Sequence, residues 1–249
     1  MADSRERAKR LILSGAVLLD GEVVTKPSLE VVGTPTLTVR QESFVGRGGE
    51  KLLSALRLFG VDVTGVSAID IGASTGGFTD CLLKSGAAHV TAVDVGSGQL
   101  HPTLLCDPRV TNIEKYNARA LSPEDVGVSE LAVMDVSFIS QTLILPRIPL
   151  VLQAGGRLLS LIKPQFEAGP AVIGKNGIVK DPAAKLFAIR RVLAAAAEAG
   201  LFCLGVAPSP ILGGDGNQEF LAYFVKQEGA CDNSQFSIEK TVLEKAVIR

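Results

Sequence analysis

Two carboxylates and a run of glycines mark the part of the chain with the clearest chemical potential. Asp70 lies in an apolar stretch, 67–71, that runs into a glycine-rich turn between Gly72 and Gly77. About two dozen residues later, a second apolar stretch ends in Asp94. In such a layout the glycines let the backbone approach a ligand closely, and the second acid accepts both hydroxyls of a ribose. The spacing therefore predicts a site for a ligand built on adenosine.

Four charged residues stand at the ends of predicted strands or in unusual contexts: Lys51, Asp135, Lys163 and Glu219. Lys163 follows an apolar strand directly and precedes a proline. Ligands of open α/β sheets bind beyond the carboxyl ends of the strands, where Asp135 and Lys163 are expected to lie. Each residue taken singly would more often be a surface charge, but together the four are the candidate reactive groups.

A mostly parallel sheet is needed to bring these residues together, and the segment 46–227 alternates in the required way. The predicted strands are 67–71, 90–94, 110–113, 131–135 and 157–162, and the predicted helices include one near 140–153 and one over 183–199. Two further apolar runs, 201–206 and 220–225, have no helix between them, which predicts an antiparallel hairpin at the sheet edge. This Rossmann-like α/β plan with a reversed hairpin is typical of S-adenosylmethionine-dependent methyltransferases and differs from that of dehydrogenases.

Residues 1–45 are predicted to form a separate small α+β module with a linker, and residues 228–249 a C-terminal tail. A helix over 5–13 precedes a hairpin around the Asp20-Gly21 turn and a strand at 37–40. Four basic residues crowd that helix: Arg5, Arg7, Lys9 and Arg10. A solvated helix face and a phosphate-binding patch are both open interpretations, and the charge run alone favours the solvated face.

Composition excludes several classes. The 249 residues are 47% hydrophobic with a mean hydropathy of +0.31, as expected where parallel strands are buried on both faces. The longest apolar region, 143–162, is broken by prolines, glycines and arginines, so no membrane span and a cytoplasmic location are expected. The four cysteines and two histidines lack zinc or iron–sulfur spacing, so no metal is expected. A net charge of −1 leaves RNA binding to local patches.

A nicotinamide cofactor is the alternative for the glycine-rich turn. The dinucleotide fingerprint G-x-G-x-x-G allows the backbone to approach a pyrophosphate at its second glycine. Here Ser74 stands near that place between Gly72 and Gly76. A ligand without a pyrophosphate tolerates this change, so a dehydrogenase ranks behind a methyltransferase.

Seven motifs along the chain, in order, resemble the TlyA family of hemolysin-A-like ribosomal RNA methyltransferases, whose catalytic domain is of the FtsJ type. The motifs are Arg47-Gly-Gly-Glu-Lys-Leu52, Asp70-Ile-Gly-Ala-Ser-Thr-Gly-Gly-Phe-Thr79, Asp94-Val-Gly, Asp135-Val-Ser-Phe-Ile-Ser140, Lys163-Pro-Gln-Phe-Glu167, Gly174-Lys-Asn-Gly-Ile-Val179 and Gly213-Gly-Asp-Gly-Asn-Gln-Glu-Phe220. Together they extend over nearly all of 45–226, which makes the match specific where a single motif would be weak.

The resemblance implies methylation of the ribose 2′-oxygen of cytidine in ribosomal RNA, with ribosomal subunits as partners and S-adenosylmethionine as cofactor. It places a Lys-Asp-Lys-Glu tetrad on the four charged residues, with Lys163 as the base that takes the hydroxyl proton. Lys51 would hold the hydroxyl or the target phosphate, and Asp135 and Glu219 would orient the two ammonium groups. The implied cofactor residues are Asp70, Gly72, Ser74, Gly76, Gly77, Phe78, Asp94 and Asn117.

The first residues resemble a small RNA-binding fold named for a small-subunit ribosomal protein. The family usually carries a further helix before this segment, so the module is expected to be truncated. The implied RNA contacts are Arg5, Arg7, Lys9, Arg10 and Arg47. Two other functions stay open: an RNA-binding protein of the same fold without turnover, and a pore-forming cytolysin of the kind that the family's older name suggests.

Overall fold

The computed structural model of the chain describes residues 5–13, 17–39, 44–174, 177–227 and 232–233. The chain divides into two compact units, residues 1–43 and 44–249, and each is considered by itself. This division falls close to the boundary predicted at residue 45. The predicted tail, 228–249, lies outside the described residues except for 232–233.

The N-terminal unit is a helix with a small antiparallel sheet. Its elements are α1 (Arg5–Leu13), β1 (Val17–Leu19), β2 (Glu22–Val24) and β3 (Leu37–Val39), with the strand order β2-β1-β3. Asp20 and Gly21 both have positive φ angles, 49° and 87°, as a tight hairpin turn requires. The turn and the strands therefore form as the sequence predicts.

The larger unit is built around a seven-stranded sheet with the order β6-β5-β4-β7-β8-β10-β9. Its strands are β4 (Ser67–Ile71), β5 (His89–Val93), β6 (Val110–Ile113), β7 (Ser129–Met134), β8 (Leu152–Ile162), β9 (Leu201–Pro208) and β10 (Phe220–Lys226). Neighbouring strands are parallel except at β10, which runs antiparallel to both β8 and β9. The predicted Rossmann-like fold is confirmed, and its reversed strand is β10, one position in from the edge.

Helices cover both faces of this sheet. They are α2 (Gly48–Phe59), α3 (Gly77–Lys84), α4 (Pro102–Leu105), α5 (Pro123–Val126), α6 (Pro164–Glu167) and α7 (Pro182–Glu198), with 3₁₀ segments at Ala118–Ala120, Gln141–Leu143, Leu145–Val151 and Pro170–Val172. Alternate residues of β4 enter opposite cores, since Ala68 packs with Leu52 and Leu82 of α2 and α3, while Ile69 packs with Ile189 of α7. The double-sided burial explains the high apolar content of the strands.

The helix predicted near 140–153 is the main difference in secondary structure. The segment forms two short 3₁₀ turns, Gln141–Leu143 and Leu145–Val151, and β8 begins at once with Leu152. Pro146 and Pro149 lack an amide hydrogen and cannot continue an α-helical ladder, so the apolar run takes the tighter form. The prediction of an α-helix here was wrong.

The three glycines Gly46, Gly48 and Gly49 form a packed turn. Helix α2 already begins at Gly48. A Cβ atom at Gly77 would lie 3.1 Å from the Gly49 nitrogen and 3.3 Å from the Gly46 oxygen. The start of α2 therefore packs directly on the start of α3, and this contact fixes the direction of the residues that follow.

Candidate active site

The ends of three neighbouring strands place three of the four charged residues at one edge of the sheet. Asp135 follows β7, Lys163 follows β8, and Glu219 precedes β10. Because β10 is antiparallel to β8, with Phe220 opposite Ile162, Glu219 lies at the same edge as Lys163. Because β10 runs in the opposite direction, Glu219 at its start lies at the edge where the parallel strands end.

Two ion pairs form at this edge. Lys51, in the first turn of α2, has its Nζ 2.5 Å from Oε2 of Glu219, and the two residues are only 7% and 3% exposed. Lys163 has its Nζ 2.5 Å from Oδ1 of Asp135 and donates a hydrogen bond to Oγ of Ser137 at 2.8 Å. The structure therefore assembles the predicted tetrad as two lysine–carboxylate pairs, both largely removed from water.

Close backbone approach holds the pairs in place, and two glycines permit it. Gly72 has a φ of +85°, and a Cβ atom there would lie 2.7 Å from the carbonyl oxygen of Asp135. A Cβ atom at Gly213 would lie 2.6 Å from Oε1 of Glu219. Any larger residue at either position would displace a member of the tetrad.

A cavity of about 570 Å³ opens beside Asp135. Four residues predicted to bind the cofactor line it, namely Gly72, Ser74, Asp94 and Asn117. Its further lining is Val93, Val95, Gln99, Tyr116, Ala118, Arg119, Asp135, Val136, Ser137, Phe138, Ile139 and Ile144. The site thus joins an apolar wall, a few polar groups and a reactive pair, as small-molecule sites commonly do.

Asp94 is the fixed polar group of this cavity. Its Oδ2 accepts the Ser74 amide at 2.8 Å, and its Oδ1 accepts the Gly96 amide at 2.7 Å. A carboxylate oxygen can accept more than one hydrogen bond, so each oxygen of Asp94 can also accept a hydrogen bond from a ligand hydroxyl. A carboxylate oriented in this way is suited to the two hydroxyls of a ribose.

The other predicted cofactor residues, Asp70, Gly76, Gly77 and Phe78, do not line the cavity. Asp70 is fully buried near the end of β4 and accepts a 2.7 Å hydrogen bond from the Thr79 hydroxyl. Gly76, with a φ of +93°, caps α3. Burial raises the pKa of Asp70 to about 7, Thr79 opposes this shift, and the charges of Asp135 and Asp94 add to it.

Replacing Asp70 with asparagine is expected to stabilise the protein at pH 8 and to have little effect near pH 4. The folded state binds the Asp70 proton more tightly than the unfolded chain, so the free energy of unfolding falls as the pH rises from about 4 to about 7. Asparagine can still accept the Thr79 hydroxyl and has no charge to desolvate. The gain at pH 8 should be on the order of a few kcal/mol. Urea unfolding at both pH values measures it, and an equal loss of stability at both would contradict the expectation.

Three residues with evident contacts at the site are absent from the sequence prediction. Ser137 contacts Lys163, and the ring of Tyr116 forms part of the cavity wall while its hydroxyl donates to the Ala120 carbonyl at 2.8 Å. Phe138 also lines the cavity and is 92% exposed, with a φ of +63°. Ser137 and Phe138 lie inside the motif that starts at Asp135, which was the only sequence signal for them.

The predicted RNA contacts fall in two places. Arg5 and Lys9 are exposed on α1 of the N-terminal unit, and the side chains of Arg7 and Arg10 lie outside the described residues. Arg47 belongs to the larger unit, where its Nη2 donates to the Leu212 carbonyl oxygen at 2.7 Å. Arg47 therefore bridges the start of α2 and the loop that precedes Glu219.

The described residues offer neither a metal-binding cluster nor a membrane-spanning helix. Among them, no three histidine, cysteine, aspartate or glutamate side chains come together as a metal site would need. No helix in the described part of the chain is long and apolar enough to cross a membrane.

Comparison with known proteins decides the family. The FtsJ-like methyltransferase family matches residues 44–226, which include every strand and helix given above for the sheet unit, and the S4 domain family matches residues 1–33. The chain belongs to the FtsJ-like methyltransferase family. The S4 match identifies the N-terminal unit as the small RNA-binding fold that the sequence predicts.

Individual relatives agree with this family. The 16S/23S rRNA (cytidine-2′-O)-methyltransferase TlyA of Mycobacterium tuberculosis is 42% identical over 231 residues, 91% of this chain and 86% of that protein. Hemolysin A of Brachyspira hyodysenteriae is 40% identical over 226 residues, 90% of this chain and 94% of that protein. A solved structure from Streptococcus thermophilus, described as a candidate hemolysin, superimposes with a TM-score of 0.81 at 42% identity and covers 97% of this chain and 90% of that one. The predicted resemblance to the TlyA family is confirmed.

Proposed function

We propose that this FtsJ-like methyltransferase uses S-adenosylmethionine to methylate the ribose 2′-oxygen of a cytidine in ribosomal RNA. The observation that carries the proposal is the pairing of Lys163 with Asp135 and of Lys51 with Glu219 beside a cavity with an oriented carboxylate. The TlyA relative named above is a cytidine 2′-O-methyltransferase of ribosomal RNA, which supports the same substrate class here.

S-adenosylmethionine fits the chemistry of the cavity. Asp94, with both oxygens directed by backbone amides, would accept the two ribose hydroxyls, and Asn117 and Tyr116 would bound the adenine. The carboxylate of Asp135 gives the cavity a negative group, which suits a cationic ligand. When bound, the cofactor supplies an electrophilic methyl group on a sulfonium.

The residues of the chain would orient and deprotonate the ribose hydroxyl. A ribose hydroxyl is a weak nucleophile, so it must be oriented and relieved of its proton as the new bond forms. Once the ammonium of Lys163 has given a proton to solvent, its Nζ would accept the proton of the ribose hydroxyl, while Asp135 and Ser137 hold the amine in place. Lys51, fixed by Glu219, would bind the hydroxyl or an adjacent phosphate oxygen.

The substrate RNA would meet two kinds of group. The S4 unit exposes Arg5 and Lys9 for phosphate contacts. Phe138 exposes its ring at the cavity, where an unpaired base can stack on an aromatic side chain. The exposed Phe138 ring favours a nucleotide in a single-stranded or flipped conformation, because only an unstacked base can lie against it.

Transfer of labelled methyl from S-adenosylmethionine to ribosomal subunits from a host that lacks the modification tests the proposal. Label in the RNA fraction is expected, and labelled protein with unlabelled RNA would contradict it. Binding of RNA and cofactor without any transfer would favour the alternative of an RNA-binding protein without turnover.

Asp94→Ala is expected to weaken cofactor binding by about 10- to 100-fold, because two hydrogen bonds to a charged group are lost. Isothermal calorimetry with S-adenosylmethionine measures the change. Asp62→Ala is a matched control, since Asp62 is an exposed carboxylate away from the cavity whose Oδ1 also accepts a backbone amide, from Thr64 at 2.9 Å. Equal affinities of the Asp94 variant and the control would remove Asp94 from the cofactor site.

A further inference from the structure

Glu167 and Gln141 belong neither to the tetrad nor to the cavity lining, yet both are almost completely buried. Glu167 is 1% exposed and Gln141 is 2% exposed. Gln141 begins the 3₁₀ segment that follows the loop after Asp135, and Glu167 ends α6, which begins directly after Lys163. Gln141 therefore follows Asp135 along the chain, and Glu167 follows Lys163, so each lies just beyond one member of the same ion pair.

The Glu167 carboxylate accepts two hydrogen bonds from the end of the loop that follows Asp135. Its Oε2 accepts a hydrogen bond from the Ser140 hydroxyl at 2.6 Å, and its Oε1 accepts one from the backbone amide of Gln141 at 2.7 Å. Its own carbonyl oxygen accepts Nη1 of Arg191 from α7 at 2.8 Å. Burial raises the pKa of Glu167, and the donors from Ser140 and Gln141 oppose that shift.

Gln141 ties the same loop to the end of β8. Its Nε2 donates to the Leu161 carbonyl oxygen at 2.6 Å, and its Oε1 accepts the Ser160 hydroxyl at 2.6 Å. Residues 160 and 161 immediately precede the end of the strand that carries Lys163. The loop is thus fastened to the chain on both sides of Lys163, before it through Gln141 and after it through Glu167.

The conformation that these bonds hold is a strained one. Phe138 has a φ of +63°, which an aromatic residue adopts only when its surroundings impose it. Its ring centroid lies 5.2 Å from that of Phe166, the neighbour of Glu167. Ser137, the residue before it, accepts the hydrogen bond from Lys163. Release of the loop would therefore change the position of Ser137 relative to Lys163.

We propose that Glu167 and Gln141 are positioning residues for methyl transfer. They hold the loop 136–140 in the strained conformation in which Ser137 orients Lys163 and Phe138 faces the cavity. The inference rests on the proposed function, since Lys163 is the group through which both residues act. Neither residue lines the cavity, but the loop that they hold does, so its release should slow the chemical step and also weaken cofactor binding to a smaller extent.

Glu167→Ala and Glu167→Gln together test the proposal. Glutamine keeps an acceptor for the Gln141 amide, and its own amide can donate to the Ser140 hydroxyl, whereas alanine removes both bonds. The alanine variant is expected to lower kcat by about 10- to 100-fold, as misplaced reactive groups do, and to lower the cofactor affinity by a smaller factor, because the released loop lines the cavity. Glutamine should restore most of kcat. Unchanged kcat in the alanine variant, or a loss confined to cofactor affinity, would overturn the proposal.

A milder pair of variants covers the case in which Glu167→Ala does not fold. Ser140→Ala removes one of the bonds to Glu167, and Ser129→Ala removes a buried hydroxyl at the opposite end of β7 as a matched control. Only Ser140→Ala is expected to lower kcat. Equal kcat values for the two variants would contradict the positioning role.

Hydrogen–deuterium exchange separates this inference from the proposed function. Amides 136–141 should exchange faster in Ser140→Ala or Glu167→Ala than in the wild type, and at wild-type rates in Glu167→Gln. Equal protection in all variants would overturn the anchoring whatever the activity. Absence of methyl transfer by the wild type would sink the proposed function, and the exchange data would still decide whether Glu167 holds the loop.

Discussion

Lys163→Ala is expected to lower kcat for methyl transfer by about 10²- to 10⁴-fold, the usual contribution of a general base. Its affinity for S-adenosylmethionine should not change, because Lys163 does not line the cavity. The fold should persist at some cost in stability, since the Asp135 side chain is 20% exposed although its Oδ1, which loses the partner, is buried. Single-turnover transfer to ribosomal subunits and calorimetry with the cofactor measure the two quantities.

Two further variants distinguish a base from a fixed charge at this position. Lys163→Arg keeps the charge but cannot release a proton near neutral pH, so it should be as inactive as alanine. Lys226→Ala removes a lysine that donates to the Pro149 and Leu152 carbonyls at the far end of β10, and it should retain kcat. Near-full turnover by Lys163→Arg would assign Lys163 an electrostatic role and remove it as the base.

Lys51→Met and Glu219→Gln are each expected to lower the free energy of unfolding by about 3–5 kcal/mol, because each leaves one buried charge without its partner. Both residues are almost fully buried, so water screens the remaining charge little. The double variant removes both charges and should recover most of the stability. Urea unfolding at about pH 7.5 measures the free energy of unfolding of the three proteins.

Activity should not follow stability in this series. The double variant is expected to fold and to bind the cofactor, but it lacks the cation proposed to hold the hydroxyl or phosphate. The surface pair Arg109–Asp107 serves as the control, because water screens an exposed pair and Arg109→Ala should change stability little. Single variants as stable as the wild type would mean that the buried pair is not a structural element, and an active double variant would remove Lys51 from the chemistry.

The sequence predicts the location of Asp135, Lys163 and Asp94 well, because the carboxyl ends of parallel strands share one edge of a sheet. A residue directly after a buried strand is therefore placed by the strand itself. Lys51 is different, since it lies on a helix, and it was singled out by its context after Arg47-Gly-Gly and by the family resemblance. Its contact with Glu219 joins positions 168 residues apart, which no local pattern encodes.

The residues that sequence reasoning did not find depend on backbone conformation and on distant partners. A positive φ at Phe138 is not signalled by its residue type, since phenylalanine disfavours that region. Gln141 and Glu167 form side-chain bonds to residues 19 to 27 positions away, and their types are common in exposed loops. The 3₁₀ turns at 141–151 lie in an apolar run, and the pattern of such a run does not distinguish them from a buried α-helix.

The position of the transferred methyl group tests the central claim most directly. Ribosomal RNA methylated by the purified protein would be digested to nucleosides and analysed by mass spectrometry, with the Lys163→Ala variant treated in parallel. The two buried lysine–carboxylate pairs predict 2′-O-methylcytidine from the wild type and none from the variant. A methyl group on a base, or 2′-O-methylcytidine formed equally well by the variant, would contradict this account.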